Sequence, residues 1–97
     1  GTIVYVLPPT VLYQVVQGTV VVEDGYDRDE VIASITDAIE RYVNGLGVNG
    51  DMILSELIYY AQAAGGVTDI TFTAPSGNIV IGEAEIARIT SSDIDIL

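Results

Sequence analysis

The sequence predicts an α+β domain in which a small mixed or antiparallel sheet of about three to five strands carries two helices packed on one face. Three observations support this fold class. Segments rich in β-branched residues lie towards both ends of the chain, two segments with helical periodicity lie between them, and Gly or Pro separates most of the segments. Because the chain has 97 residues and 49% of them are hydrophobic, we expect a single domain over 1–97 with one core.

The N-terminal part of the chain is predicted to form strands. Thr2–Leu7 has the composition of a short strand and is closed by Pro8-Pro9, which cannot donate ladder hydrogen bonds. Val11–Glu23 carries β-branched residues at odd and even positions, which indicates a strand covered on both faces for part of its length. Gly18 within it predicts a bulge or a close approach of another backbone.

The first helix is predicted to begin after Asp27. Asp27 and Glu30 have the spacing of a capping box, here in an acidic version. Asn44–Gly47 is predicted to end the helix, with a glycine in the left-handed conformation. Between these limits the apolar residues recur at helical spacing and form one stripe about 100° wide, made of Val31, Ile35, Ala38, Ile39, Tyr42 and Leu46.

The start of the second helix is left open between two caps. Either Asp51 caps it, or the chain stays extended and Ser55 caps it; Ser55 is favoured, because Glu56 and an apolar stripe follow it directly. Gly65-Gly66 is predicted to end this helix.

The C-terminal part is predicted to return to strands. Val67–Thr73 alternates apolar and polar residues as a half-buried strand does, and a turn over Ala74–Gly77 leads to a strand over Asn78–Ile81. Residues 82–90 are expected to be irregular or to form an edge, and Ser92–Leu97 alternates as a last strand would.

The charge of the chain restricts its partners. Fourteen acidic residues stand against three arginines, with no lysine, histidine or cysteine, and the net charge is -11. Such a surface repels phosphate and anionic lipid, so we expect no binding to nucleic acid or to membranes. The surplus of acid fits either basic protein surfaces or other subunits as partners, or a charge that simply keeps a hydrophobic domain in solution. Without cysteine there is neither a disulfide framework nor a thiolate metal site.

The residue types also leave little for catalysis. Histidine, cysteine and lysine are the usual proton-transfer and nucleophilic groups, and the chain has none of them. By residue type alone, Glu83 and Glu85 could be the acid pair of a glycosidase, but a domain of this size has little material to form a cleft around them. We therefore interpret them as residues that solvate an edge, predict no catalytic residues, and expect the chain not to be an enzyme.

Two further patterns are interpreted as structural. Gly45–Gly50 matches the dinucleotide-binding pattern G-x-G-x-x-G, but it follows a predicted helix, whereas phosphate binding needs these glycines between a strand and a helix. Acidic residues are concentrated over 23–30, and their position before a helix favours capping over a weak cation site. We accordingly expect no cofactor, no metal and no small-molecule substrate.

Adjacent tyrosines on the second helix are the candidate interface residues. Tyr60 is predicted near the margin of the apolar stripe, whereas Tyr59 projects almost opposite to it. Exposed tyrosines are preferred anchors of protein interfaces, so Tyr59 and Tyr60 are predicted to contact a partner.

The stretch from Gly18 to Ile81 resembles the C-terminal domain of baseplate J-like proteins. Each matching segment is a structural signature (a strand, a helix cap, an apolar stripe), and the segments occur in the order and spacing of that family. They are Val20–Asp27, Ala38–Gly47, Ser55–Ile58, Gly66–Ile70 and Ala74-Pro75, preceded by a strand and proline over Ile3–Pro9.

The resemblance implies a structural subunit of the baseplate wedge of contractile phage tails, prophages or related injection particles. It implies a place in the virion tail baseplate, assembly in the bacterial cytoplasm, and contacts with other baseplate or tail subunits, with self-association left open. It transfers no catalytic residues. Because the chain begins at Gly1 without methionine, we expect it to be a fragment of a longer baseplate protein.

Two alternatives stay open from the sequence. Two helices on a sheet also fit a small ferredoxin-like regulatory or ligand-binding module, which would need a pocket with convergent polar groups. The acidic composition also fits a mimic of nucleic acid, whose carboxylates would lie on one surface at the spacing of phosphates.

Overall fold

The computed structural model describes residues 10–97, so the strand expected over Thr2–Leu7 and the Pro8-Pro9 stop lie outside the described residues. The described part has two helices and five strands in two small sheets, which confirms the α+β class. In chain order the elements are β1 (Thr10–Tyr13), β2 (Val16–Val22), α1 (Arg28–Asn44), α2 (Leu54–Gln62), β3 (Val67–Ala74), β4 (Glu85–Arg88), a short 3-10 turn (Ser91–Asp93) and β5 (Ile94–Ile96).

The strands form two sheets where one was expected. In the larger sheet the order is β3-β2-β5, with β2 antiparallel to β3 and parallel to β5. In the smaller sheet β1 lies parallel to β4. The predicted strand over Val11–Glu23 is therefore two strands, because the chain leaves one sheet after Tyr13 and enters the other at Val16. Since α1 and α2 follow each other with no strand between them, the β-α-β-β-α-β order of a ferredoxin-like module is not present.

One face of β2 is buried and the other is exposed, which corrects the expectation of a strand covered on both faces. Val16 and Val20 lie in the core, whereas Thr19 and Val21 face solvent. The physical reason is that both helices lie on the same side of the chain's sheets, so the β-branched residues at odd positions of β2 contribute strand propensity and no core contact.

Gly18 confirms the predicted close approach. The register between β2 and β3 shifts between Gln17 and Gly18, and a Cβ at Gly18 would lie 2.7 Å from the carbonyl oxygen of Thr71. The neighbouring strand on the other side bonds to the same residue, since the Leu97 amide donates to the Gly18 carbonyl at 2.9 Å. Glycine at this position therefore allows the backbone of β2 to lie close to β3 on one side and to Leu97, after β5, on the other.

Asp27 is the N-cap of α1. Its Oδ1 accepts hydrogen bonds from the backbone amides of Asp29 (2.9 Å) and Glu30 (3.2 Å), an arrangement that typically stabilises a helix by about 1 kcal/mol. The reciprocal bond of a capping box, from the Asp27 amide to the Glu30 carboxylate, is absent from the hydrogen bonds of residues 10–97. Glu30 therefore contributes its charge at the positive end of the helix dipole.

The helix α1 ends at Asn44, within the predicted segment, but without a left-handed glycine. Gly45 has φ of -86° and stays right-handed, so the expected left-handed glycine is wrong. Asn44 instead joins the end of the helix to Ile89, the residue directly after β4. Its side chain donates a hydrogen bond to the Ile89 carbonyl (3.0 Å) and accepts one from the Ile89 amide (2.9 Å). The left-handed residue near this end of α1 is Asn49, whose φ is 63°, in the loop that follows.

The core lies between the helices and the sheets. On α1 it includes Val43, which the predicted stripe omitted, while Tyr42 and Leu46 are only partly buried. The buried residues are Val16, Val20, Val31, Ile35, Ile39, Val43, Met52, Leu57, Ala61, Ile70, Ile81, Ala87, Ile89, Ile94 and Ile96.

The start of α2 corrects the prediction that Ser55 is its cap. The N-cap is Ile53, which has no side chain capable of capping, and Ser55 is exposed within the first turn. Distant side chains satisfy the first amides: the Ile53 amide donates to the Tyr42 hydroxyl and the Leu54 amide to Asn78 Oδ1, both at 2.9 Å. This helix is thus capped by tertiary contacts.

The C-terminal region keeps most of its predicted strands. β3 covers the predicted strand, and β5 closes the larger sheet as its last strand. The strand expected over Asn78–Ile81 is wrong, because only an isolated antiparallel bridge joins Ile79 to Met52. Asp51 replaces a strand partner there, since its Oδ1 accepts from the Ile81 amide at 2.8 Å. Residues 82–90, expected to be irregular or edge-like, contain β4.

Candidate protein-interaction surface

A groove runs between α1 and α2 on the side of the helices that faces away from the sheets. We call it the helix groove; its volume is about 670 Å³. A smaller cavity of about 210 Å³ shares two of its lining residues, Ser34 and Ala64, and so extends it towards the N-terminus of α1. The helix groove is lined by Ser34, Asp37, Ala38, Arg41, Tyr42, Gly45, Leu46, Tyr60, Ala63 and Ala64.

The groove exists because small residues face each other across the helix pair. Ser34, Ala38 and Gly45 belong to α1 and its end, and Ala63 and Ala64 follow the last turn of α2. Side chains this small cannot fill the space between two helix surfaces, which are ordinarily separated by interlocking larger side chains. The two helices therefore meet at the core and leave an open channel above it.

Three tyrosines form a cluster at one end of the helix groove. The rings of Tyr42 and Tyr60 stack with centroids 5.3 Å apart, and the ring of Tyr59 meets Tyr60 edge-on at 5.3 Å. Tyr59 is 66% exposed and Tyr60 is 43% exposed. The sequence singled out Tyr59 and Tyr60 separately; the structure brings them into one aromatic surface with Tyr42, which the sequence placed in the core stripe.

Acidic residues lie along α1 next to this groove. Asp29, Glu30, Asp37 and Glu40 fall within one arc of about 100° when the helix is viewed down its axis. We call these four residues the acidic row. Asp37 belongs to both features, because it also lines the groove. Its carboxylate pairs with Arg41 at 3.1 Å, and this exposed pair is the only salt bridge within residues 10–97.

The chain's three arginines are all engaged in contacts with their own domain. Arg28 Nη1 donates to the Val20 carbonyl at 3.3 Å, and Arg88 Nη1 donates to the Leu46 carbonyl at 2.8 Å. Arg41 holds Asp37. The acidic row of four carboxylates therefore has a single cation, Arg41, paired with it and keeps a net negative charge.

Tyr42 occupies the junction of the groove, the tyrosine cluster and the start of α2. Burial raises the pKa of the Tyr42 hydroxyl above its ordinary value of 10.0, and the nearby Glu56 carboxylate raises it further. The hydrogen bond from the Ile53 amide acts in the opposite direction and lowers the pKa. The neutral phenol is therefore the form that the folded protein stabilises.

The stability of the domain should fall at alkaline pH because of Tyr42. Its folded-state pKa is raised, so its contribution is fully present below the unfolded pKa of 10.0 and is lost as the pH rises through the folded value. Tyr42→Phe should lower stability at neutral pH, since the Ile53 amide loses its acceptor, and should flatten the decline above about pH 10. Urea unfolding at neutral and alkaline pH measures both effects, and parallel declines in the two proteins would contradict this role.

The glycine-rich segment after α1 is a loop. Its amides are used within the chain, because the Gly50 amide donates to the Gly47 carbonyl (3.0 Å) and the Asn49 amide to the Glu85 carbonyl (2.8 Å). A phosphate site needs such amides free and at a helix N-terminus. The glycines of Gly45–Gly50 therefore form a loop after α1, and their match to G-x-G-x-x-G does not indicate a phosphate site.

The carboxylates do not converge on one centre. Across the described part of the chain, no group of three or more acidic residues is placed to hold a metal ion. Glu85 Oε1 accepts from the Gly82 amide at 2.8 Å, while Glu83 is exposed. Outside the acidic row, acidic residues occur on α2, on three strands, on the 3-10 turn and in several loops, a distribution that does not resemble phosphates along a nucleic acid.

Neither of the two helices found in residues 10–97 combines the length and the apolarity that crossing a bilayer requires.

Comparison with known proteins identifies the family. A protein-family model described as the baseplate J-like protein C-terminal domain matches residues 15–94, which is well over half of the chain. A search of curated proteins found no match to this chain. The match covers β2 through the start of β5. It therefore includes both helices, the helix groove and the paired strands β2 and β3. The chain therefore belongs to the family of baseplate J-like protein C-terminal domains, which are structural components of phage tail baseplates.

Proposed function

We propose that this chain is an assembly domain of a baseplate protein that acts through contacts with neighbouring baseplate or tail subunits, and that it catalyses no reaction. The observation that carries the proposal is the family match over residues 15–94. In the finer form of the proposal, the parent protein belongs to the baseplate wedge of a phage, a prophage or a related contractile injection particle, and it is assembled in the bacterial cytoplasm into the virion tail.

The surface chemistry supports a role in protein contacts. The tyrosine cluster presents aromatic area with hydroxyl groups, the combination that interfaces favour, and it lies beside an open groove. A net charge of -11 favours basic protein partners and disfavours nucleic acid and anionic membranes. The chain also lacks the histidine, cysteine and lysine side chains on which most proton-transfer and nucleophilic catalysis depends.

A pull-down experiment tests the proposal. The tagged chain should retain baseplate subunits of the same particle, and Tyr59→Ala should reduce that retention about tenfold or more if Tyr59 is an anchor of the interface. Because Tyr59 is exposed, the substitution should change the free energy of unfolding by only about 0.5 kcal/mol.

Tyr13→Ala is the matched control. Tyr13 is 70% exposed on β1, away from the helices, so its removal tests for a general loss of exposed aromatic surface. Retention should survive this change. A parent protein that lacks residues 10–97 and still assembles complete baseplates would refute the proposed function.

A further inference from the structure

We propose that the helix groove receives a cationic segment of a partner subunit, whose apolar side chains enter between α1 and α2 while its basic side chains contact the acidic row. This inference rests on the proposed function and specifies the chemistry of the partner. It follows from the shape of the groove, from the charge beside it and from the exclusion of a second copy of this chain.

The shape of the groove fits a few inserted side chains. Its volume of about 670 Å³ is comparable to the roughly 300–1,000 Å³ of pockets that enclose small ligands, so it has room for a few side chains. Ala38, Ala63 and Ala64 offer apolar surface, and the stacked rings of Tyr42 and Tyr60 add aromatic surface to the lining. The adjoining cavity of about 210 Å³ keeps the other end open, so an elongated segment can lie along the groove.

The charge beside the groove determines the sign of its partner. Asp37 lines the helix groove and Glu30 lines the adjoining cavity, seven positions earlier on α1. Seven residues of α-helix span about 10 Å, which lies between the separations of about 7 and 13 Å for residues two and four positions apart on one face of an extended chain. Basic side chains at that separation could contact both carboxylates at once. The exposed pair between Asp37 and Arg41 is weak enough to be displaced by such a cation.

A second copy of this chain does not supply the required cations. It has no lysine, and its three arginines already bond within the domain: Arg28 to a carbonyl of β2, Arg41 to Asp37, and Arg88 to the Leu46 carbonyl. Two copies, each with a net charge of -11, also repel each other. A different subunit with exposed Lys or Arg is therefore the occupant that fits.

Titration with peptides followed by NMR tests the inference. The isotope-labelled chain is titrated with a pool of amphipathic peptides of about 12 residues in which apolar positions alternate with Lys or Arg, and separately with an equivalent pool in which every basic position is Asp or Glu. The cationic pool should shift the amide signals of Ala38, Ala63 and Ala64 and the ring signals of Tyr60, with the effect declining as salt is raised. The acidic pool should leave these signals unchanged.

Charge reversal supplies the matched control. Glu30→Lys with Asp37→Lys should weaken binding of the cationic pool about tenfold or more, whereas Glu83→Lys with Asp95→Lys adds the same charge at exposed sites away from the groove and should weaken it less than about twofold. All four positions are at the surface, so circular dichroism should show both variants folded.

Three results would overturn the inference: shifts that avoid the groove, equal binding of the two pools, or equal losses in the two double variants. Its failure is distinguishable from failure of the proposed function. If the charge-reversed chain still retains baseplate subunits as well as the unaltered chain does, the assembly role stands and the groove is excluded as its binding site.

Discussion

Replacing Ile39 with aspartate should unfold the domain. Ile39 lies in the middle of α1 with 0% of its side chain exposed, between Ile35 and Val43 in the buried row of the helix. The substitution removes most of the buried hydrocarbon and places a carboxylate where no arginine is free to pair with it. Together these effects should cost roughly 5 kcal/mol or more, against a total stability of about 5–15 kcal/mol for a domain.

Far-UV circular dichroism and urea unfolding measure this effect. Val48→Asp is the matched control, since it makes the same kind of replacement at a residue that is 51% exposed in the loop after α1. The control should change the free energy of unfolding by only about 0.5 kcal/mol. If Ile39→Asp were equally mild, the apolar face of α1 would have to face solvent, and the packing described for the core would be wrong.

The second large effect is expected at Gly66, where the chain passes from α2 into β3. Gly66 has φ of +73°, and a Cβ there would lie 2.6 Å from Cδ1 of Tyr26 and 2.9 Å from Cγ2 of Val31. Gly66→Ala therefore combines backbone strain of about 1 kcal/mol with overpacking of about 1–3 kcal/mol. We expect a total loss of roughly 2–4 kcal/mol in urea unfolding.

Gly65→Ala separates the two contributions. Gly65 also has a positive φ, of +86°, but a Cβ there would meet no heavy atom within 4 Å, so its alanine variant should show the backbone strain alone. Adding Tyr26→Ala to Gly66→Ala should recover part of the loss, because it removes the nearer of the two obstructing side chains. Equal losses at Gly65 and Gly66, with no recovery on removing Tyr26, would show that steric contact has no part in the effect.

These experiments concern the fold, whereas the proposed interactions depend on surface residues that contribute little to stability. Tyr59, Glu30 and Asp37 are exposed, and the core does not include them. Substitutions at these positions can therefore change binding while leaving the domain folded. This separation makes the pull-down and the titration interpretable as tests of contact.

Local patterns in the sequence were enough to predict the structural class, the first helix and the half-buried strand over Val67–Thr73. Asp27 lies directly before the residues whose amides it accepts, and Val31, Ile35 and Ile39 are brought to one face by helical geometry alone. The alternation in Val67–Thr73 likewise required no knowledge of its partner strand. Net charge and the absent residue types limited the chemistry without any structure.

The tertiary structure alone decided where distant residues meet. Ser55 had a favourable local position for a cap, but the amides at the start of α2 are satisfied by Tyr42 and Asn78, which lie 11 and 24 residues away in the chain. Asn44 ends α1 through Ile89, 45 residues further on. A local pattern cannot specify such partners, because each bond depends on how the sheets and helices are arranged in space.

The same limit applies to the candidate interaction surface. The sequence marked Tyr59 and Tyr60 as interface candidates, but the groove forms only where small residues of α1 meet those that follow α2. The third tyrosine of the cluster, Tyr42, was predicted in the core stripe. Composition and periodicity thus determined an acidic α+β domain that has no histidine, cysteine or lysine. The pairing of its elements, which depends on contacts between residues far apart in the chain, determined where the helix groove that we propose as a binding site is formed.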